Sequence, residues 1–269
     1  MTTIPDTPTR RWRGAAMPAQ VYLLSSRSLR ALLVDPRMLL FSMLQPLIML
    51  VLFSQVFGKA ITVIDPPGGN YINYLMPAIL ITTSIGAGLQ SGIGLISDMH
   101  NGVVARLRAL PIHLSSVLLA RSVADLVRSA LQLIVLLTTA AALFGFSPQG
   151  GFWGVVASLV LALVVSWSLT WVFLAIATWV RKAEVMQSIG FLAMFPLMFV
   201  SSAFVPLEAL PNWLRVLAVV NPLTYAVDAS RNLALALPTG NGVFLALGTS
   251  AVLGAISAVF AVRGFRKPL

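Results

Sequence analysis

The chain alternates long apolar runs with short polar segments. Apolar runs cover residues 39–57, 74–96, 126–146, 152–179, 185–204 and 243–262. Each approaches or exceeds the roughly 20 residues that a helix needs to cross about 30 Å of hydrocarbon. A run of that length must satisfy its own backbone hydrogen bonds inside the bilayer, which leaves the helix as the spanning form. The pattern therefore predicts an all-α polytopic membrane protein with six transmembrane helices over 39–262. A polar arm, 1–38, precedes them and a tail, 263–269, follows.

The segments between the runs carry their own signals. The arm holds Pro5, Pro8, Pro18 and Pro36. From Gln20 to Val34, apolar Val21, Leu24 and Leu32 are interleaved with Arg27 and Arg30. That interleaving predicts a short amphipathic helix, suited to the headgroup layer or to a solvated lead-in. A cleavable signal peptide would carry its apolar region nearer Met1. Asp65-Pro66-Pro67-Gly68-Gly69 and Ser147-Pro148-Gln149-Gly150-Gly151 read as turns, and Arg181-Lys182-Ala183-Glu184 as a minimal link. Short links predict that the third, fourth and fifth spans pack as sequential neighbours.

Two connections exceed what joining helices requires. One runs from Ser97 to about Leu119. Gly102 permits a bend there and Pro111 limits a helix before it, leaving room for a short surface helix with Arg106 and Arg108 facing water or headgroups. Such an element either anchors on lipid or receives a cytoplasmic partner. The other, 205–241, is broken by Pro206, Pro211 and Pro222. Short re-entrant or surface helices fit it, with Trp213 and Tyr225 at the interface.

Charge fixes the expected orientation. With the N-terminus inside, Arg10, Arg11, Arg13, Arg27, Arg30, Arg37, Arg106, Arg108, Arg121, Arg128, Arg181, Lys182, Arg263, Arg266 and Lys267 all fall inside. Only Lys59, Arg215 and Arg231 fall outside. That bias places both termini in the cytoplasm and favours an even number of spans. It also accounts for the formal charge of +10, which in a soluble chain would suggest nucleic acid; none is expected as a partner here. Mean hydropathy is +0.91 and only 10% of residues are charged, against roughly 25% in soluble domains.

Candidate chemistry is sparse. Cysteine is absent, which removes disulfides and thiolate chemistry. No phosphate loop or dinucleotide fingerprint occurs, and His100 and His113 lack further ligands for a metal. Neither a catalytic residue nor a metal site is expected. No train of carboxylates or histidines suggests a proton pump. The ionisable residues at the third span are Arg121, Asp125 and Arg128, spaced so that Asp125 can pair with either arginine; Asp228 and Arg231 repeat the i,i+3 spacing. Both groups read as structural charge pairs. Gly88 and Gly92, with small-xxx-small spacing, predict close helix packing. A membrane-embedded lipid or glycan enzyme would need a clustered catalytic set. A non-transporting membrane anchor meets fewer objections.

Two motifs carry a resemblance. One is Gly102-Val103-Val104-Ala105-Arg106-Leu107-Arg108-Ala109-Leu110-Pro111-Ile112, followed by Ala120-Arg121-Ser122-Val123-Ala124-Asp125. The sharper one is Phe204-Val205-Pro206-Leu207-Glu208-Ala209-Leu210-Pro211-Asn212-Trp213-Leu214, continuing into Asn221-Pro222-Leu223-Thr224-Tyr225-Ala226-Val227-Asp228-Ala229-Ser230-Arg231. With six spans, they make the chain resemble the permease subunit of an ABC-2 type exporter, the daunorubicin/doxorubicin-resistance group above all.

The resemblance implies a subunit of a prokaryotic inner (cytoplasmic) membrane that exports a drug, lipid or lipid-linked compound. It would pair with a second permease, identical or related, and with two separate ABC ATPase subunits. This chain would carry no cofactor of its own; ATP and Mg would bind the ATPases. Within 97–116, Gly102, Arg106, Leu107, Arg108 and Pro111 would form the coupling segment. Pro206, Pro211, Trp213, Asn221, Pro222 and Tyr225 would belong to the short outer helices that close the exit. Asp98-Met99-His100-Asn101 departs from the denser acidic and basic run usual just before the coupling glycine.

Overall fold

The computed structural model describes residues 16–34, 37–61, 70–110, 112–204, 207 and 210–267, and among them the secondary structure is entirely helical. In chain order the helices are α1 (Met17–Val34), α2 (Arg37–Ile61), α3 (Tyr71–His100), α4 (Val103–Arg108), α5 (Leu114–Phe144), α6 (Gly151–Val180), α7 (Ala183–Phe199), α8 (Asn212–Val220), α9 (Pro222–Ala234) and α10 (Gly242–Arg266). Four of them, α3, α5, α6 and α10, are long and apolar enough to cross a membrane. The predicted first and fifth spans coincide with shorter apolar helices, Leu40–Val56 within α2 and Ala183–Phe199.

The enclosed centre is α3 against α6, with α10 packed on the other side of α6. Glycines allow the central approach. A methyl at Gly88 would stand 2.7 Å from the Phe173 ring and 3.1 Å from the Leu169 carbonyl oxygen; one at Gly92 would stand 3.0 Å from the Phe173 carbonyl oxygen. The predicted close-packing face of α3 is thus the face that meets α6. Polar side chains add cross-links: Ser168 Oγ donates to the Ser250 carbonyl at 2.7 Å, and Ser166 Oγ to Ser129 Oγ at 3.1 Å.

Helix lengths revise the expected connections. α3 continues through His100 and α5 begins at Leu114, so much of the expected long connection from 97 to about 119 is helix. Charged and small polar residues there still propagate helix because their backbone bonds are local. The short helix itself is present as α4, and Gly102 supplies its bend at φ 72, a left-handed conformation that favours glycine. Pro111 lies outside the described residues. The fifth run also ends early: α7 stops at Phe199 rather than 204, just after Pro196. The Arg181–Lys182 link is as short as expected. α7 nonetheless packs mainly on α3, not on its sequence neighbour α6, because Gly190 leaves a slot that Leu89 fills.

The bundle has two distinct ends. α1, α4 and the α6–α7 turn gather at one; α8, α9 and the α5–α6 turn gather at the other. At the first, Gln20 of α1 is buried. Its Oε1 accepts the His113 backbone N–H at 3.2 Å and the Ser116 hydroxyl at 2.8 Å, holding α1 onto the start of α5. At the second, Asn73 and Ser147 exchange two hydrogen bonds of 3.0 and 3.2 Å.

Candidate functional site: a polar cavity in an apolar bundle

Between α2, α3, α5 and α7 the helices leave a cavity of about 390 Å³. Its wall is mixed. Phe41, Pro46 and Met49 come from α2, Ile79 from α3, and Met194 and Met198 from α7, with Phe204 beyond it. The polar part is Ser42 and Gln45 of α2, Thr82, Thr83 and Gln90 of α3, and Asp125, Arg128, Ser129 and Gln132 of α5. Gly86 also lines the space, and a methyl there would touch nothing within 4 Å. Three glutamines facing one volume in such an apolar bundle is unusual. Polar groups in a membrane-spanning helix are costly unless they face a partner or a wet cavity. Sequence reading passed over Gln45, Gln90 and Gln132. Their signal was present, as isolated amides in otherwise apolar runs.

The charges beside the cavity are arranged differently from the expected pairs. Asp125 Oδ2 accepts the Ser91 hydroxyl from α3 and lies 3.8 Å from Arg121 Nε. Arg121 in turn pairs with Asp98, near the end of α3. The carboxylate is therefore shared with Arg121, as the i,i+4 spacing allowed. The Asp125–Arg128 pair does not form: among the described residues Arg128 makes no ion pair or hydrogen bond, and it lines the cavity. Arg128 acts on Asp125 electrostatically without closing to an ion pair. Asp98 had been read as part of a loop, so its partnership with Arg121 was not foreseen.

α4 projects at the end of the bundle beyond Asp98. Ala105, Arg106, Ala109 and Leu110 are exposed, and Leu107 is half-buried. Arg108 does not face solvent as expected. Its Nη2 donates to the Phe265 carbonyl at 2.6 Å and the Lys267 carbonyl at 3.2 Å, and its guanidinium lies 5.5 Å from the Phe265 ring centre. These carbonyls are the orphan acceptors that end α10, and a cation there also meets the helix dipole favourably. His100 stands against the Arg181 carbonyl at 3.1 Å, and His113 is exposed at the start of α5.

At the opposite end, aromatic rings close over the cavity. Phe53 stacks on Phe204 with centroids 4.2 Å apart, and Phe199 lies 5.5 Å from Phe204. Behind them α9 is pinned by Arg231, which is buried. Its guanidinium donates to the carbonyls of Tyr74 at 3.2 Å and Ser202 at 2.8 Å, contacts Asp228 at 3.0 Å, and lies 3.7 Å from the Tyr74 ring centre. The predicted Asp228–Arg231 pair is present, within a larger network. Asn221 is the second pin. Its Oδ1 accepts the Leu223 N–H at 3.0 Å, while Nδ2 donates to the Leu197 and Val200 carbonyls at 2.9 and 2.6 Å. One side chain thus caps α9 and satisfies the end of α7. Pro222 is exposed at the first position of α9. Tyr225 donates to the Val219 carbonyl at 2.8 Å; Pro211 caps α8, and Trp213 is 67% exposed. Pro206 lies outside the described residues.

The sequence that builds these long apolar helices, the surface helix and the cavity is similar to known sequences. The profile of the ABC-2 type transporter family matches residues 19–235. The daunorubicin resistance ABC transporter permease protein DrrB1 of Streptomyces coeruleorubidus is 30% identical over 243 residues, covering 90% of this chain and 84% of the relative. A Mycobacterium tuberculosis protein, named a probable doxorubicin resistance ABC transporter permease, is 24% identical over 249 residues, covering 93% and 89%. The chain belongs to the ABC-2 type transporter family, as a multi-pass membrane permease related to drug-resistance exporters.

Proposed function

We propose that this chain is the permease subunit of an ATP-driven exporter, moving a hydrophobic or amphiphilic compound out of the cytoplasm of a prokaryote. The observation that carries the reading is the cavity of about 390 Å³, polar on α3 and α5 and apolar on α7, inside a bundle whose outer surface is suited to lipid. Its size falls in the usual range for small-molecule sites. α2 and α7 complete six crossings, both termini face the cytosol, and the α4 end is the cytoplasmic end. Two separate ABC ATPase subunits dock there and supply ATP and Mg chemistry; a second permease, identical or related, completes the assembly.

Coupling runs through α4. Arg106 is exposed for a partner, Gly102 sets the bend, half-buried Leu107 lies beside it, and the buried Val104 anchors the helix on the bundle. Arg108 transmits displacement of α4 to the end of α10, and the Asp98–Arg121–Asp125 chain transmits it to the cavity wall. The cargo binds the inward- and outward-facing states unequally, since a ligand shifts only an equilibrium whose states it distinguishes. The phenylalanine cluster and α8–α9 form the exit cover. The test is co-expression with the organism's stand-alone ABC ATPases, followed by purification and ATPase assay. A stable complex whose hydrolysis depends on this chain supports the reading. No associated ATPase, with transport intact in this chain alone, refutes it.

A further inference from the structure

The two charges on the cavity wall are unequal in their commitments. Asp125 is held by Ser91 and Arg121. Arg128, about one turn further along α5, makes no hydrogen bond or ion pair among the described residues. A guanidinium offers five donors and stays charged in any protein environment. Within a membrane such a group is expensive unless something pairs with it. Asp125 acts on it electrostatically, but no carboxylate among the described residues reaches the guanidinium as an ion pair, so its N–H donors stay unfilled. Asp98 is the outlying carboxylate, its side chain is 43% exposed, and it is bound to Arg121, roughly 10 Å from Arg128 along the helix.

What else lines the volume describes the rest of a ligand. Gln45 and Gln90 supply neutral donors and acceptors, while Phe41, Met49 and Met194 supply an apolar wall. A complementary molecule has an anionic head and an apolar body. Resting on the export reading above, we infer that the transported compound is an amphiphilic anion whose carboxylate or phosphate is received by Arg128. Asp125 shares this wall with its Oδ2 bonded to Ser91 and facing Arg121, so Arg128 is the charged group there whose donors are unfilled among the described residues.

The experiment uses the permease with its ATPase in phosphatidylcholine nanodiscs and three dansyl-labelled undecyl probes: the carboxylic acid, the neutral amide and the primary amine. Wild-type protein should bind the acid about tenfold or more tightly than the amine, the scale of a charge-assisted hydrogen bond. Arg128→Gln should erase that preference at unchanged melting temperature, and Arg128→Lys should keep part of it. Equal or reversed preference in the wild type overturns the inference without any variant. So does an acid-to-amine ratio that Arg128→Gln leaves intact.

Inverted vesicles separate this inference from the one beneath it. ATP-driven uptake of the amide or amine, insensitive to Arg128→Gln, keeps the exporter and removes the anionic cargo. Arg128-dependent acid binding without ATP-driven uptake of any probe removes the exporter and keeps the anion site. If added phosphatidylglycerol displaces the acid, and the amide alone is pumped, the site belongs to a resident lipid and the cargo assignment falls.

Discussion

Arg231 and Asn221 show how single polar side chains hold an otherwise apolar assembly. Arg231 is buried and bonds three carbonyls, from Tyr74, Ser202 and Ala203, besides Asp228. Truncation strands those acceptors, so Arg231→Ala should cost about 2 kcal/mol or more. Asp228 is 41% exposed on its side chain, so water replaces much of what it gives, and Asp228→Asn should cost less. Melting temperatures in detergent, read for both variants, check the order; an equal loss would contradict it. Asn221→Ala removes a helix cap and two donors at once, and should cost about 1–3 kcal/mol by the same measurement.

Helices meet by the residues they leave small. Gly88 and Gly92 of α3 lie against Leu169 and Phe173 of α6, whereas Gly86 faces open cavity. Gly88→Ala should therefore destabilise by about 1–3 kcal/mol through overpacking. Gly86→Ala should be neutral or gain up to about 1 kcal/mol from helix propensity. Thermal unfolding of the two variants side by side decides; equal effects would mean that the α3–α6 contact is not close-packed. This scale also marks what the sequence made legible. Apolar runs near the length of the bilayer core exposed the central helices, the GxxxG spacing exposed the tight face of α3, and the Asp228–Arg231 spacing exposed their pair. Helix ends were misjudged where polar residues such as Asp98 and Ser116 continue a helix past the apolar run. The cavity was not legible. Gln45, Gln90 and Gln132 are distant in sequence, and only the crossing of α2, α3 and α5 brings them to one volume.

For the molecule as a whole, the proposed topology puts the α4 end in the cytosol and the α8–α9 end outside. A chain without cysteine makes this easy to read, because each introduced thiol is the only one. An impermeant maleimide on intact cells should label Gln149→Cys and Trp213→Cys, and should reach Ala109→Cys and Lys182→Cys only after permeabilisation. Labelling of Ala109→Cys in intact cells would invert or break the six-crossing arrangement. Force is proposed to pass from bound ATPases through α4 into the cavity wall. The most direct measurement is ATP-dependent uptake of the dansyl amphiphiles into inverted vesicles holding the permease and its ATPase, with Arg106 and Leu107 replaced together by Glu and Asp. The account predicts uptake reduced to the level seen without ATP, at equal protein level and with insertion preserved. Undiminished uptake in that variant would contradict it.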